Sequence, residues 1–272
     1  MTSAIGKKFS ELKKRDRAAL VCYLTAGDPS LEMTEKIAAQ IAAAGADILE
    51  IGIPFSDPMA DGPVIQRACE RALESGTTLE KVLQTVRNIR ENSDIPILLF
   101  GYSNPFLTYG SERLASDSKA AGADGILAVD LPPEEAAEFS SRLKENGMDQ
   151  VFLLSPNTND DRIAAVRDVA GGFIYLVSIT GVTGARPDMD YAGGDSLSPL
   201  VGKIREKTGL PVGVGFGIST PAQAGKVASF ADAVIVGSAI MKIVEENPSS
   251  APEKVGQFVS SLSGACERGG AN

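Results

Sequence analysis

Two carboxylates stand out where an apolar strand gives way to a loop. Glu50 lies in the apolar run Ile48–Gly52, and Asp61 follows eleven residues later at the end of an acidic loop. Because side chains alternate along a strand, Glu50 points away from the face that carries its neighbours Leu49 and Ile51. That apolar face suits packing against helices, so we expect the Glu50 carboxyl group in the interior.

A carboxyl group removed from water has a raised pKa and can donate a proton near neutral pH, which makes Glu50 a candidate general acid. The alternative is a structural ion pair, although few basic residues lie in or beside the strands. Asp61 is either a second functional carboxylate or a turn or cap residue before a helix at Val64. Two carboxylates in different environments are what separate acid and base duties require. At the loop tip, Asp57 and Pro58 are turn residues or a contact to another subunit.

Glycine-rich turns form a second candidate site. They lie at residues 181–184, 213–219 and 237–238. Each leaves backbone N–H groups unencumbered, and the last opens a short helix whose N-terminus would attract an anion. Ordinary tight turns are the alternative, but three such turns near the end of the chain favour phosphate binding. Tyr175 belongs either to the core or, through its hydroxyl group, to the functional site.

The elements that position these residues follow a simple alternation. Eight short apolar runs, most of them unbroken, are each followed by a helix-like segment, as expected for parallel strands buried on both faces. The runs are residues 18–25, 48–52, 97–101, 125–129, 151–154, 173–177, 212–215 and 233–236. Eight such units predict an α/β fold, a (β/α)₈ TIM barrel forming a single domain over residues 1–272, with a short N-terminal helix over 1–15. The alternative, an open doubly wound sheet, lacks its GxGxxG turn after the first strand.

Three stretches that follow strands are predicted to be irregular loops, at residues 53–63, 102–110 and 178–196. Loops after strands build the active face of a (β/α)₈ barrel, and those after strands seven and eight recurrently bind phosphate. The candidate residues therefore fall on the face where the fold predicts them.

Capping residues mark several helix ends. Thr78 and Thr158 are predicted to open helices, and Gly45, Gly122 and Gly147 to end others. A weak internal repeat, at residues 44–47, 121–124 and 230–233, precedes the second, fourth and eighth strands. We interpret it as a structural helix-to-strand turn.

Composition excludes several function classes. The net charge of -9 disfavours binding to nucleic acid or to an anionic membrane surface. Because the chain has no histidine, Ser-His-Asp triads, Cys-His pairs and histidine-ligated metals are excluded. The cysteines, at positions 22, 69 and 266, are odd in number and widely spaced, so we expect no disulfide framework, no zinc site and a reduced, cytoplasmic setting.

The segment LEIGIPFSDPMADGP, residues 49–63, resembles the tryptophan synthase alpha family, and the likeness covers nearly the whole chain. Further matching segments occur in the same order at residues 24–29, 102–104, 130–132, 178–184, 215–218 and 237–240. The resemblance implies a lyase that cleaves indole-3-glycerol phosphate to indole and glyceraldehyde 3-phosphate by a retro-aldol reaction. Glu50 would protonate C3 of the indole ring, and Asp61 would stabilise positive charge at the indole N–H.

The resemblance also implies roles for other residues. Tyr175 would support the pocket, and Thr183, on a mobile loop, would help to position Asp61. Phosphate would be held largely by backbone N–H groups of Gly184, Gly217, Gly237 and Ser238. The indole pocket would include Tyr23, where the family leads us to expect phenylalanine, together with Phe100 and Phe216.

The family works with a pyridoxal-phosphate (PLP) beta subunit that consumes the indole, in an αββα complex, so no cofactor or metal is expected on this chain. The resemblance assigns the interface to residues 53–63 and 102–110, including Asp57, Pro58 and Asn104. An exposed apolar edge at Phe106 and Leu107 would be consistent with it.

Three alternatives remain open. One is a related phosphate-binding barrel enzyme acting on another substrate, and a second is a free-standing indole-3-glycerol phosphate lyase with no partner. The third is a catalytically silent barrel that binds a phosphorylated ligand or acts as an allosteric partner. Glu50 and Asp61 in their contexts argue against the first and third.

Overall fold

The computed structural model describes residues 3–177, 194–215 and 217–268, with the backbone alone for 194–196. Eight parallel strands pair in chain order and close into a barrel, which confirms the predicted (β/α)₈ fold. The strands are β1 (Ala19–Thr25), β2 (Ile48–Gly52), β3 (Ile97–Gly101), β4 (Gly125–Ala128), β5 (Asp149–Leu154), β6 (Ile174–Val177), β7 (Val212–Gly215) and β8 (Ala233–Val236). Every predicted strand is present, because continuous apolar runs between helical segments leave few other structures open to them.

The helices surround the barrel and cover its amino end. They are α1 (Ala4–Lys14), α2 (Leu31–Ala43), α3 (Pro63–Glu74), α4 (Leu79–Arg90), α5 (Ser103–Tyr109), α6 (Ser111–Ala121), α7 (Ala137–Glu145), α8 (Asp160–Val169), α9 (Gly194–Thr208), α10 (Pro221–Ala228), α11 (Ser238–Glu246) and α12 (Ala251–Ser263). A 3₁₀ turn follows at Gly264–Cys266. None of the helices in the described ranges combines the length and apolar character needed to cross a membrane.

The core has two layers. The larger lies between the outward faces of the strands and the helices, and the smaller fills the barrel interior. Helix α1 closes the amino end of that interior with Ile5, Phe9 and Leu12, and the ring of Phe9 lies 5.6 Å from that of Phe173. The interior is therefore packed at one end, and only the carboxyl end is left to hold a ligand.

The predicted helix ends are confirmed in all cases but one. Thr78 caps α4, and Gly45, Gly122 and Gly147 follow helices with φ of +94°, +95° and +70°, a conformation that favours glycine. At α8 the prediction was wrong, because Asn159 rather than Thr158 is the N-cap. The Asn159 side chain accepts the helical N–H, whereas Thr158 Oγ1 accepts an N–H from the preceding turn.

The prediction of an irregular loop over residues 102–110 was also wrong, because helix α5 occupies most of it. Pro105 lies in the first turn, where a missing N–H costs no helical hydrogen bond, and Gly110 ends the helix at φ +93°. The expected exposed apolar edge is only half present. Phe106 is 2% exposed and stacks on Phe139, whereas Leu107 is 62% exposed.

The repeated turns before β2, β4 and β8 are structural, as predicted. Each places an aspartate, at position 47, 124 or 232, beside the start of the preceding strand in the barrel, where it accepts a backbone N–H from Leu20, Ile97 or Val212. Each aspartate also pairs with an arginine, at position 17, 90 or 205 respectively. Arg90 and Arg205 lie on α4 and α9, so their pairs tie these two helices to the amino end of the barrel.

Candidate active site

A cavity of about 720 Å³ opens at the carboxyl end of the barrel. It collects eight of the residues singled out from the sequence, namely Tyr23, Glu50, Asp61, Phe100, Tyr175, Gly217, Gly237 and Ser238. Three others, Thr183, Gly184 and Phe216, lie outside the described residues. Segments separated by almost the whole chain therefore meet in one site.

Glu50 lies in the middle of β2, between Tyr23 of β1 and Leu98 of β3 in the strand register. Its carboxyl group faces the barrel interior and is 1% exposed, and its Oε1 atom has no hydrogen-bond partner among the described residues. Burial raises the pKa of Glu50 to about 8. At neutral pH this side chain is therefore mostly a neutral acid with a proton to donate.

Asp61 reaches the same cavity from the loop after β2. It is not a helix cap, since Gly62 is the N-cap of α3. Burial raises the pKa of Asp61 to about 6, and a hydrogen bond from Tyr102 opposes that rise. At pH 7 the Asp61 carboxyl group is therefore mostly ionised, whereas Glu50 is mostly protonated.

Tyr102 is a residue of the site that the sequence argument missed. Its hydroxyl group donates to Oδ2 of Asp61 over 2.9 Å and accepts the N–H of Ala60 over 3.0 Å. Tyr102 comes directly after β3, and polar side chains at the carboxyl ends of barrel strands commonly serve the site. This position could have identified Tyr102 as a candidate, but the sequence does not show which loop its hydroxyl group contacts.

Aromatic side chains form the end of the cavity near Glu50. The rings of Tyr23 and Phe100 lie 5.3 Å apart in an edge-to-face arrangement, and the Tyr23 hydroxyl group is hydrogen-bonded to Thr25. A Cβ atom at Gly52 would lie 2.2 Å from that hydroxyl oxygen, so only glycine leaves room for it. Aromatic walls of this kind suit a flat ligand ring.

Tyr175 of β6 also faces the barrel interior and is 8% exposed. A Cβ atom at Gly215 would lie 2.5 Å from its hydroxyl oxygen, so Tyr175 packs directly over the neighbouring strand. Burial raises the pKa of Tyr175 well above its ordinary value, so the hydroxyl group is neutral. Its position fits both interpretations made from the sequence, a core residue and a wall of the site.

Another part of the cavity wall is a helix N-terminus. Helix α11 begins at Ser238, after Gly237, and no described side chain caps it. Its first N–H groups and its dipole favour an anion at this end, and Gly217, at φ +71°, lies beside it. This end of the cavity therefore favours an anion although the chain has a net charge of -9.

The side wall between α3 and α11 carries charged residues that the sequence argument did not single out. Arg67 comes from α3, and Lys242, Glu245 and Glu246 come from α11. Among the described ranges, no group of three acidic or cysteine side chains is placed to hold a metal ion. The chemistry that the described site offers is therefore proton transfer and anion binding.

The residues assigned to a partner interface lie elsewhere. Asp57 is exposed and accepts a hydrogen bond from Ser56, and the adjacent Met59 is 90% exposed. Asn104 borders a separate groove of about 350 Å³, together with Phe55. Neither Asp57 nor Asn104 borders the catalytic cavity.

Comparisons with known proteins agree with this geometry. The family model for the tryptophan synthase alpha chain matches residues 9–267. The chain is 51% identical over 261 residues to the tryptophan synthase alpha chain of Geotalea uraniireducens, covering 96% of each chain. Among solved structures it superposes on tryptophan synthase subunit alpha from Legionella pneumophila with a TM-score of 0.89 and 38% identity, covering 98% of this chain and 99% of the other.

A tryptophan synthase complex from Pyrococcus furiosus contains a chain that is 36% identical, with a TM-score of 0.81, covering 91% of this chain and 99% of that one. The family model spans nearly the whole described barrel, including the strand that carries Glu50 and the helix that follows Gly237. Sequence, fold and site thus agree, and the chain belongs to the tryptophan synthase alpha chain family.

Proposed function

We propose that this chain cleaves indole-3-glycerol phosphate to indole and glyceraldehyde 3-phosphate and supplies the indole for tryptophan biosynthesis. The observation that carries the proposal is the pair of carboxyl groups in one cavity, with pKa values of about 8 for Glu50 and about 6 for Asp61. Near pH 7 one is an acid and the other an anion, which is the division of labour that the reaction requires.

Glu50 acts first, by donating its proton to C3 of the indole ring. The bond between C3 and the adjacent glycerol carbon then breaks, and its electron pair restores the aromatic ring. The hydroxyl group on that carbon becomes the aldehyde carbonyl, and its proton returns to the Glu50 carboxylate. Glu50 thus ends the cycle protonated, because it serves as acid and then as base.

Asp61 stabilises the charge that this step creates. Protonation of C3 places positive charge on the ring nitrogen, and an ionised carboxylate at the indole N–H favours that state over the ground state. Tyr102 holds the carboxylate through its 2.9 Å hydrogen bond. Activity should therefore require ionised Asp61 and protonated Glu50, which defines a window between about pH 6 and pH 8.

The phosphate group binds at Gly217, Gly237 and Ser238, where backbone N–H groups at the start of α11 meet it. Gly184, Thr183 and Phe216 complete the proposed site from the family resemblance. Tyr23, Phe100 and Tyr175 enclose the indole ring. The aromatic region and the helix N-terminus thereby hold both ends of the substrate and orient the bond to be broken.

The proposal includes a partner, a PLP-dependent beta subunit in an αββα assembly. The Pyrococcus furiosus tryptophan synthase complex, which contains a chain similar to this one, supports the presence of a partner. The proposed contact surface comprises residues 53–63 and 102–110, with Asp57, Pro58 and Asn104, and its exposed Met59 and Leu107 suit burial against another chain. PLP would lie on the beta subunit, and the reaction on this chain would need no cofactor.

A cytoplasmic location completes the proposal. Cys22, Cys69 and Cys266 are all free and buried, as is usual for proteins of a reducing compartment.

The test is indole release from indole-3-glycerol phosphate by the purified chain, alone and with a tryptophan synthase beta subunit. Slow release that rises when the beta subunit is added supports the proposal. Fast release that is unaffected by it would indicate a free-standing lyase. Absence of release in both conditions would contradict the catalytic proposal and favour a binding role or another phosphorylated substrate.

A further inference from the structure

Four charged residues form a continuous ion-pair network beside the cavity. Arg67 and Arg71 lie one turn apart on α3, Glu245 lies in the last turn of α11, and Asp28 follows β1. The two helices flank the cavity from adjacent positions on the barrel rim. We call these residues the rim network.

The rim network is built from two-pronged contacts. Arg67 donates from Nε and Nη2 to the two carboxylate oxygens of Glu245, over 2.7 and 2.8 Å. Arg71 donates from Nη1 to the same Glu245 over 2.9 Å, and from Nε and Nη2 to the two oxygens of Asp28, both over 2.8 Å. Bidentate contacts of this type fix orientation as well as distance.

The network is shielded at one end and open at the other. The side chain of Asp28 is 1% exposed, those of Glu245 and Arg71 are 24% and 32% exposed, and that of Arg67 is 48% exposed. The hydrogen bond from Arg67 is the main cause that lowers the pKa of Glu245 to about 2. Glu245 is therefore ionised at every pH at which the protein would work.

The rim network joins α3 and α11, and each of these helices begins at a different part of the site. Helix α3 begins two residues after Asp61, and Gly62 is its N-cap. Helix α11 begins with Gly237 and Ser238, at the proposed phosphate site. Since each helix moves largely as a rigid unit, a clamp between α3 and α11 sets the separation between the catalytic carboxylate and the phosphate.

We propose that Glu245 is a positioning residue for the cleavage reaction, which sets this separation through Arg67 and Arg71. The inference rests on the proposed function and adds a residue of the side wall that the proposed chemical steps do not use. A substrate that must contact Asp61 and α11 at the same time is sensitive to their separation, whereas a ligand that meets only one end is not.

The principal variant is Glu245→Gln in the full chain, measured alone. It keeps the shape of the side chain but removes the charge that holds two arginines. The readouts are kcat and KM for indole-3-glycerol phosphate, and inhibition of the cleavage by inorganic phosphate and by indole, each of which occupies one end of the site.

We expect kcat/KM to fall by about tenfold, because displacement of a substrate-binding element by a fraction of an ångström is costly. Inhibition by phosphate alone and by indole alone should each change less than about twofold, since each local site is intact. A lower kcat/KM with nearly unchanged inhibition is specific to a positioning role, because general damage to the fold would weaken the binding of both inhibitors.

A second carboxylate on α11 provides a control that is matched for the loss of charge. Glu246→Gln removes the same charge from the same helix, but Glu246 has only a 3.8 Å contact with Lys242. If charge near the phosphate were the cause, both variants would strengthen phosphate binding to a similar extent. Glu134→Gln breaks an ion pair in which Nη1 of Arg162 donates to both Glu134 oxygens, away from the cavity, and it should leave kcat/KM unchanged.

A double-mutant cycle of Arg67→Gln and Glu245→Gln measures the contribution of the contact between these two residues. Arg67 is half-exposed, so Arg67→Gln is expected to fold even if Glu245→Gln does not. The loss of kcat/KM in Arg67→Gln should be smaller in the Glu245→Gln background than in the wild type, because the two residues act through one contact.

Wild-type kcat/KM in both single variants, with only a lower melting temperature, would overturn the positioning proposal and leave a structural clamp. Strictly additive losses in the cycle would also overturn it. If the wild-type chain itself released no indole, the proposed function would fail instead, so the two failures are distinguishable.

Discussion

Two sets of carboxylates, one at each end of the barrel, lie in opposite circumstances. At the amino end, Asp47, Asp124 and Asp232 each pair with an arginine and accept a backbone N–H from a neighbouring strand. At the carboxyl end, Glu50 and Asp61 form no ion pair among the described residues. Pairing commits the first group of carboxylates to holding the fold, and its absence leaves the second group free to exchange protons.

Asp149 is an exception to this contrast between the two sets of carboxylates. It lies at the amino end, burial raises its pKa, and its Oδ2 atom has no hydrogen-bond partner among the described residues. It borders neither of the two cavities described above. A raised pKa alone therefore does not make a catalytic group, which also needs access to a ligand.

The largest effect should come from Glu50→Gln. We expect kcat to fall by about 10⁴-fold, because glutamine cannot donate the proton, while binding of inorganic phosphate is retained. The measurement is indole release with and without the beta subunit. Cleavage comparable to that of the wild type would contradict the assignment of the acid.

The same variant should have the opposite effect on stability. Because the pKa of Glu50 is about 8 in the folded chain and near 4.5 when unfolded, the folded state loses stability as pH rises from the lower to the higher value. Glutamine does not ionise, so Glu50→Gln should melt at a higher temperature than the wild type at pH 9 and at a similar one at pH 4.5.

Asp61→Asn should cause the second largest loss. Asparagine retains the shape but not the charge that stabilises the protonated ring, so kcat should fall by about 10² to 10³-fold. Inhibition by inorganic phosphate should be unchanged, since the start of α11 is untouched. An unaltered kcat would assign Asp61 to structure, as the turn residue that the sequence left open.

Asp47→Asn tests the amino end. The side chains of Arg17 and Asp47 are 5% and 11% exposed, so the variant leaves a buried guanidinium group partly unpaired and should cost about 2 kcal/mol of stability. The rate of cleavage should not change. Asp160→Asn, which breaks exposed pairs with Lys203 and Lys207, is the control and should alter the melting temperature little. Loss of kcat in Asp47→Asn would contradict the division between the two ends.

The sequence predicts those features of the two ends that depend on neighbouring residues, but not those that depend on residues far apart in the chain. Strand order and the direction of Glu50 follow from local periodicity, and the repeated turns before three strands are visible as motifs. The arginine partners of those turns lie 27 to 34 positions away, on other elements, and no local pattern identifies them.

The carboxyl end shows the same limit. Glycine-rich turns and the acidic loop predict where Gly237 and Asp61 lie, because both are local features at strand ends. The hydrogen bond from Tyr102 to Asp61 joins positions 41 residues apart and depends on how the loop after β2 folds over the next strand. The rim network likewise arises only when α3 and α11 meet. The sequence predicts candidate groups, but not the contacts that fix their protonation.

The smallest effect, and the sharpest test of the carboxyl end, should come from Tyr102→Phe. The hydrogen bond from Tyr102 favours the ionised form of Asp61, so its loss should raise the pKa of Asp61 further above about 6. Since Asp61 must be ionised, the acidic limb of the kcat/KM profile should move to higher pH by about one unit. Activity at pH 7 would fall by about twofold, and by pH 8, where ionisation of Glu50 limits both proteins, the variant would match the wild type.

Tyr109→Phe is the matched control, because Tyr109 donates a hydrogen bond of the same kind to Asp117, away from the catalytic cavity. Its pH profile, measured on the chain alone, should coincide with that of the wild type. A uniform loss in Tyr102→Phe at every pH would mean that Tyr102 only anchors the loop through Ala60. A shifted limb would mean that the phenol of Tyr102 adjusts the acidity of Asp61 while leaving it able to change its protonation.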